Sequence, residues 1–146
     1  MRLKGKIAIV TGAGRGIGAA IADAFVREGA RVVIAEMDET TGPATAERLG
    51  PSALFIHTDV TDPISVDALV ETVMAGHGRI DVLVNNSGVG GPSGRLWEME
   101  IDDWKSTFEV NVFGVFLMSR AVLPVMVSQK SGSVVIVGSI TGKRPL

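Results

Sequence analysis

A doubly wound α/β fold built on a parallel sheet follows from three observations. Five short runs rich in valine, isoleucine and leucine alternate with segments of helical periodicity along the chain. None of these runs alternates polar with apolar residues, the pattern of strands covered on both faces. The first run leads directly into a glycine-rich turn and then an amphipathic segment. Strict β–α alternation of this kind gives a sheet with helices on both sides and ligand sites beyond the carboxyl ends of the strands.

The elements follow in order. Strands are expected at 6–10, 31–35, 53–57, 81–84 and 133–137, and helices at 16–28, 39–49, 63–75 and 102–129. Asp62 followed by Pro63 is a capped start for the third helix. Segment 110–127 is apolar enough to raise a membrane span, but Asn111, Arg120 and Pro124 interrupt it, and a buried helix is the reading adopted. Residues 86–100, with Gly88, Gly90, Gly91, Pro92 and Gly94, form the one long irregular stretch. Without repeats or linkers, residues 1–146 read as a single domain.

Composition excludes several classes of function. A net charge of −2 with scattered lysines and arginines offers no field for nucleic acid. The chain has no cysteine, hence no disulfide framework, thiolate nucleophile or zinc–thiolate site, and His57 and His77 are too far apart to propose a metal. They read as ordinary helix-end or strand-end residues. The charged first residues pass into a strand at once, unlike a secretory signal, so a cytoplasmic location without membrane attachment is expected.

The chemistry begins at Thr11-Gly12-Ala13-Gly14-Arg15-Gly16-Ile17-Gly18. Glycines let the backbone turn tightly and approach a pyrophosphate, while the following helix aims unpaired N–H groups and its positive dipole end at the anion. The spacing fits Thr-Gly-x-x-x-Gly-x-Gly better than G-x-G-x-x-G, and no Gly-Lys-Ser/Thr follows, which excludes a nucleoside-triphosphate loop. A plain strand-to-helix turn is the alternative. Against it stands Glu36, an acid at the end of the second run, about twenty residues on, where an adenosine ribose would be read. The other strand ends carry Asp59-Val60, Asn85-Asn86-Ser87-Gly88 and Gly138-Ser139, so all five form one ligand-facing rim.

Taken in order along the whole chain, these motifs and Asn111 closely resemble the short-chain dehydrogenase/reductase family, which usually has Asn-Asn-Ala-Gly where this chain has Asn85-Asn86-Ser87-Gly88. The resemblance implies a Rossmann-type three-layer domain that binds NAD(P) and moves a hydride to or from a small alcohol or carbonyl compound. It places Gly12, Gly16, Ile17 and Gly18 on the pyrophosphate, Asp59 and Val60 on the adenine, and Asn86 and Gly88 near the nicotinamide side. Asn85 reads as a tie between the fourth strand and its neighbours. Asn86 can equally be a buried amide satisfied within the core. Ser139 would donate to the substrate oxygen, or else cap local backbone at a strand end. Asn111 would support a proton relay.

Glu36 favours NAD over NADP by accepting two bonds from the ribose hydroxyls and repelling a 2′-phosphate. Arg15 argues the other way, by pairing with that phosphate, unless it pairs with Glu36 instead. The chain has no tyrosine, whereas the family's acid/base is a tyrosine beyond the serine, with a lysine one helical turn later. Lys143 is not that lysine, because no tyrosine precedes it. The expectation is therefore an inactive N-terminal part of an oxidoreductase, of 3-oxoacyl-reductase, sugar- or steroid-dehydrogenase type, the whole protein assembling as a homo-oligomer through helix 102–129. A non-catalytic dinucleotide-binding or scaffold module is the alternative.

Overall fold

A computed structural model describes residues 1–140; residues 141–146, Lys143 among them, lie outside the described residues. The chain runs β1 (Ile7–Thr11), α1 (Gly16–Arg27), β2 (Arg31–Glu36), α2 (Thr41–Leu49), β3 (Ala53–His57), α3 (Pro63–His77), β4 (Val82–Asn85), α4 (Ile101–Phe108), α5 (Gly114–Gln129) and β5 (Ser133–Ile136). All strand pairs are parallel, in the order β3-β2-β1-β4-β5. Successive crossovers go one way from β1 to β2 and the other way to β4. The carboxyl ends of β1 and β4 therefore open a crevice at the point of reversal.

Side-chain alternation along each strand sorts the core into two layers. Ile7, Ile9, Val33 and Leu83 face α3 and α5, where Leu69, Val73, Met118 and Val122 meet them. Ala8, Val10, Val32, Ile34 and Val84 face the other way, toward Ala22 of α1. Small residues on that second side let α1 lie close against the sheet, which matters for the turn in front of it.

Burial on both faces holds for β1, β2 and β4 but not for β3 and β5. Those two are the outer strands, and all four residues of β5 are exposed, Ile136 by 60%. Apolar composition alone does not distinguish an edge strand from a central one.

The single helix expected at 102–129 is also broken. Between α4 and α5, Glu109–Phe113 widen into a π turn, with Gly114 N–H reaching back to Glu109 O. Two anchors account for the extra residue. The Asn111 amide is drawn to the backbone of Val89, and Gly114 packs where a Cβ would come 2.9 Å from Val60 Cγ2. By length and composition the continuous run Ile101–Gln129 is apolar enough to span a membrane, yet Met118, Val122 and Met126 on it lie in the sheet core. Its other side exposes Phe113, Phe116, Leu123 and Val127.

Candidate functional site

The crevice is held open by a small set of cross-strand hydrogen bonds. Thr11 Oγ1 accepts from Asn86 N–H and Ser87 N–H, each at 2.9 Å, which ties the end of β1 to the chain leaving β4. Asn86 Nδ2 donates to Thr11 O at 2.9 Å and Gly12 O at 3.1 Å. Gly12 takes φ +61°, a conformation that favours glycine, and a Cβ on Gly18 would strike Gly12 O and Asn86 Nδ2. The turn, the first residues of α1 and Asn86 thus form one packed unit. Asn85 is a tie of a different kind, since its buried Nδ2 reaches Ser119 Oγ on α5.

Two helix starts near the site are built differently. At α3, Asp62 Oδ1 accepts from Ile64 N–H at 3.0 Å, so the first turn is capped. At α1 the cap position is Arg15, which makes no side-chain cap bond, and no acid stands in the first turn. An uncapped first turn keeps N–H donors and the positive dipole end for an external anion.

Glu36, the last residue of β2, closes the crevice on the β2 side. Its Oε2 accepts from Gly14 N–H at 2.9 Å, and its Oε1 from Met37 N–H at 2.9 Å and Asp38 N–H at 3.2 Å. Among the described residues Arg15 makes no ion pair with it, so the Arg15–Glu36 pairing weighed from the sequence does not form. A carboxylate offers about four acceptor positions, and three are taken. One remains for a ribose hydroxyl, and the two-hydroxyl grip expected from the sequence requires a backbone donor to let go. Beside it, the buried Thr41 Oγ1 has no hydrogen-bond partner among the described residues.

Beyond Glu36, Asp59 Oδ1 accepts from both N–H and Oγ1 of Thr61, which fixes the loop after β3. Gly88 sits under Asn111, whose Oδ1 would lie 3.3 Å from a Cβ there. Asn111 forms a paired amide contact with Val89, accepting from its N–H at 2.8 Å and donating to its carbonyl at 2.9 Å. The π turn therefore carries the residue that pins the chain leaving β4, in keeping with the frequency of such turns at functional sites.

These groups line a cleft of about 480 Å³. Gly12, Arg15, Ile17, Gly18, Glu36, Asp59, Val60, Asn86 and Gly88 all border it, so among the expected cofactor residues Gly16 alone, exposed at φ +57°, does not. Asn111 touches the wall through Gly88 and Val89. Ser139 lies three residues past β5 at the same end of the sheet, exposed, and does not border the cleft. Sequence reasoning missed the Thr11 hydroxyl, Gly14 as the donor to Glu36, and Thr45, whose Oγ1 donates to Gly14 O at 2.8 Å. Threonine at the end of a strand before glycine was visible; its partners, 75 and 76 residues away, were not.

The residues present fit a dinucleotide. An uncapped helix start, a turn into which no Cβ fits at Gly18, and a carboxylate with one acceptor position free beside an orphaned hydroxyl suit a pyrophosphate next to a ribose. A model of the family described as short chain dehydrogenase matches residues 6–146. The chain belongs to the short chain dehydrogenase family.

Similar members of the family differ in what they are named for. Over 142 residues the chain is 37% identical to 3-oxoacyl-(acyl-carrier-protein) reductase FabG of Salmonella typhimurium, covering 97% of this chain and 58% of that one. It is 40% identical over 145 residues to a sorbitol dehydrogenase of Cereibacter sphaeroides, covering 99% of this chain and 56% of the relative. Among solved structures, the 3-ketoacyl-(acyl-carrier-protein) reductase of Brucella melitensis complexed with NADH superposes with a TM-score of 0.94 at 34% identity, over 99% of this chain and 61% of that one. The chain thus spans little more than half the length of the curated relatives it matches.

Proposed function

We propose that the protein is a nicotinamide-dependent oxidoreductase whose dinucleotide lies along the cleft, with NAD preferred to NADP and a small alcohol or carbonyl compound as substrate. The uncapped start of α1 beside Glu36 carries the reading. Gly16, Ile17 and Gly18 receive the pyrophosphate on backbone N–H groups, Gly12, whose own N–H is held by Ala35 O at 2.8 Å, lets it approach by lacking a side chain, and Glu36 accepts a ribose hydroxyl while repelling a 2′-phosphate. Asp59 and Val60 border the adenine, and Asn86 and Gly88 the nicotinamide-side ribose. When bound, the nicotinamide ring accepts or supplies the hydride.

Ser139 donates its hydroxyl hydrogen to the substrate oxygen, where negative charge builds as the alcohol loses its proton. Asn111 positions the chain through Val89 and supports proton movement from the π turn. Residues 1–146 contain no tyrosine, and a serine hydroxyl ionises too far above neutrality to replace one as acid or base. We therefore expect these residues to bind cofactor without turnover. In a chain continued through the family's tyrosine and lysine, we expect alcohol-dependent NADH production that Ser139→Ala nearly abolishes. A 3-oxoacyl thioester is one substrate class to test first, since relatives at 37% identity carry that name. A cytoplasmic homo-oligomer, packed through the exposed apolar side of α4 and α5, completes the proposal.

Titrating NADH and NADPH against the protein tests the cofactor choice. NADH is expected to bind at least about tenfold more tightly, the size of one charge-assisted hydrogen bond, and Glu36→Ala to erase the difference. Equal affinities before mutation contradict it.

A further inference from the structure

Gly14 stands in a glycine-rich turn, but its backbone does not require glycine. Unlike Gly12 and Gly16, it does not adopt a positive φ. What excludes a side chain is space: a Cβ would lie 2.5 Å from Thr41 Oγ1 and 2.9 Å from both Cγ and Oε2 of Glu36. The three nearest atoms all belong to side chains. The Glu36 carboxylate is the far end of a flexible one, whereas the Gly14 peptide is fixed. Its N–H goes to Glu36 Oε2, and its carbonyl accepts from Thr45 Oγ1 on α2, whose side chain is buried. A methyl group at position 14 therefore requires Thr41 Oγ1 to turn aside about its own side-chain bond and Glu36 to move, the latter at the cost of the Gly14–Glu36 hydrogen bond, while Thr45 keeps the turn in place.

We propose that Gly14 is a specificity-determining residue for the cofactor: the absence of a side chain on its Cα lets Glu36 fold onto the glycine turn and holds the carboxylate where it accepts a ribose hydroxyl and refuses a 2′-phosphate. This rests on the assignment of Glu36 to the adenosine ribose. It makes cofactor choice a property of two positions, 14 and 36, that are brought together by the β1–β2 pairing. A side chain at 14 acts against an acid as long as glutamate at 36. An aspartate, one methylene shorter, does not reach the same space.

The test is a double-mutant cycle read by NADH and NADPH titration of this chain, with Gly14→Ala, Glu36→Ala and the two combined. Gly14→Ala is expected to weaken NADH binding about tenfold and NADPH binding far less, the loss of one charge-assisted bond. In the Glu36→Ala background the same substitution is expected to change NADH affinity by no more than about twofold, since the partner is gone. Equal weakening in both backgrounds means that residue 14 acts through the turn itself and overturns the proposal. Failure of the ribose assignment reads differently: the unmutated chain then shows no preference for NADH, while the cycle still reports whether 14 and 36 are coupled. Should Gly14→Ala lose its cooperative melt, Glu36→Asp combined with Gly14→Ala supplies the decision. That pair is expected to bind NADH within about twofold of Glu36→Asp alone, and a larger loss overturns the proposal.

Discussion

Two carboxylates sit at opposite ends of one sheet, and their partners differ in kind. Asp81, just before β4 at the amino end, is buried and receives side-chain bonds from Arg79 and Lys6 as well as the Ile7 N–H at 2.9 Å. Burial raises its pKa, but the bonds from Arg79, Ile7 and Lys6 together outweigh that and bring it from 3.8 to about 2. Glu36, at the carboxyl end of β2, has backbone N–H groups alone as partners and keeps an acceptor position toward the cleft. A cation-locked acid with all four acceptor positions filled serves stability. An acid held in place by neutral donors keeps its charge directed at whatever enters the cleft.

The comparison is broken most strongly at Asp81. Asp81→Asn is expected to lower unfolding free energy by about 2–4 kcal/mol at neutral pH in urea melts, because the buried Ile7 N–H and two cations lose a charged acceptor. NADH affinity should stay the same; a parallel loss would mean that the two ends are not independent.

Acid gives the next largest effect. The lowered pKa of Asp81 contributes stability that is complete above its unfolded value of 3.8 and disappears as pH falls through about 2. That lowering corresponds to about 2 kcal/mol once the half-exposed Lys6 and Arg79 are discounted for solvent screening. Stability measured across that window should flatten by this amount in Asp81→Asn, and an unchanged slope would remove Asp81 from the account.

A smaller effect separates the two helix starts. Asp62→Ala should cost about 1 kcal/mol by removing the cap of α3. Arg15→Ala, at a start with no side-chain cap, should change stability by less than about 0.5 kcal/mol. Similar losses at both would show that α1 is capped after all and is not held open for an anion.

How much of this was readable in advance depends on the range of the cause. The five strands, the glycine turn and the Asp59-Val60 pair are local patterns, and each strand forms within one residue of its expected bounds: β1 and β4 are shifted by one to include Thr11 and Asn85, β2 runs on to Glu36 and β5 stops at Ile136. Edge strands were not readable, because β3 and β5 match the central strands in composition and differ in what covers them. The π turn at Glu109–Phe113 escaped for the same reason: Asn111 leaves helical pitch to satisfy Val89, 22 residues earlier. Gly14 looked like one more turn glycine until its neighbours Glu36 and Thr41 were in place.

The central claim is that the carboxyl end of the sheet holds a dinucleotide while the amino end is structural. Amide chemical shifts of this chain during NADH titration test it most directly. The account predicts shifts at Gly12, Gly14, Ile17, Gly18, Glu36, Met37, Asn86 and Gly88, with Ile7, Ile80 and Asp81 unmoved. Saturating NADH that leaves the first group unmoved, or shifts the second group instead, would contradict it.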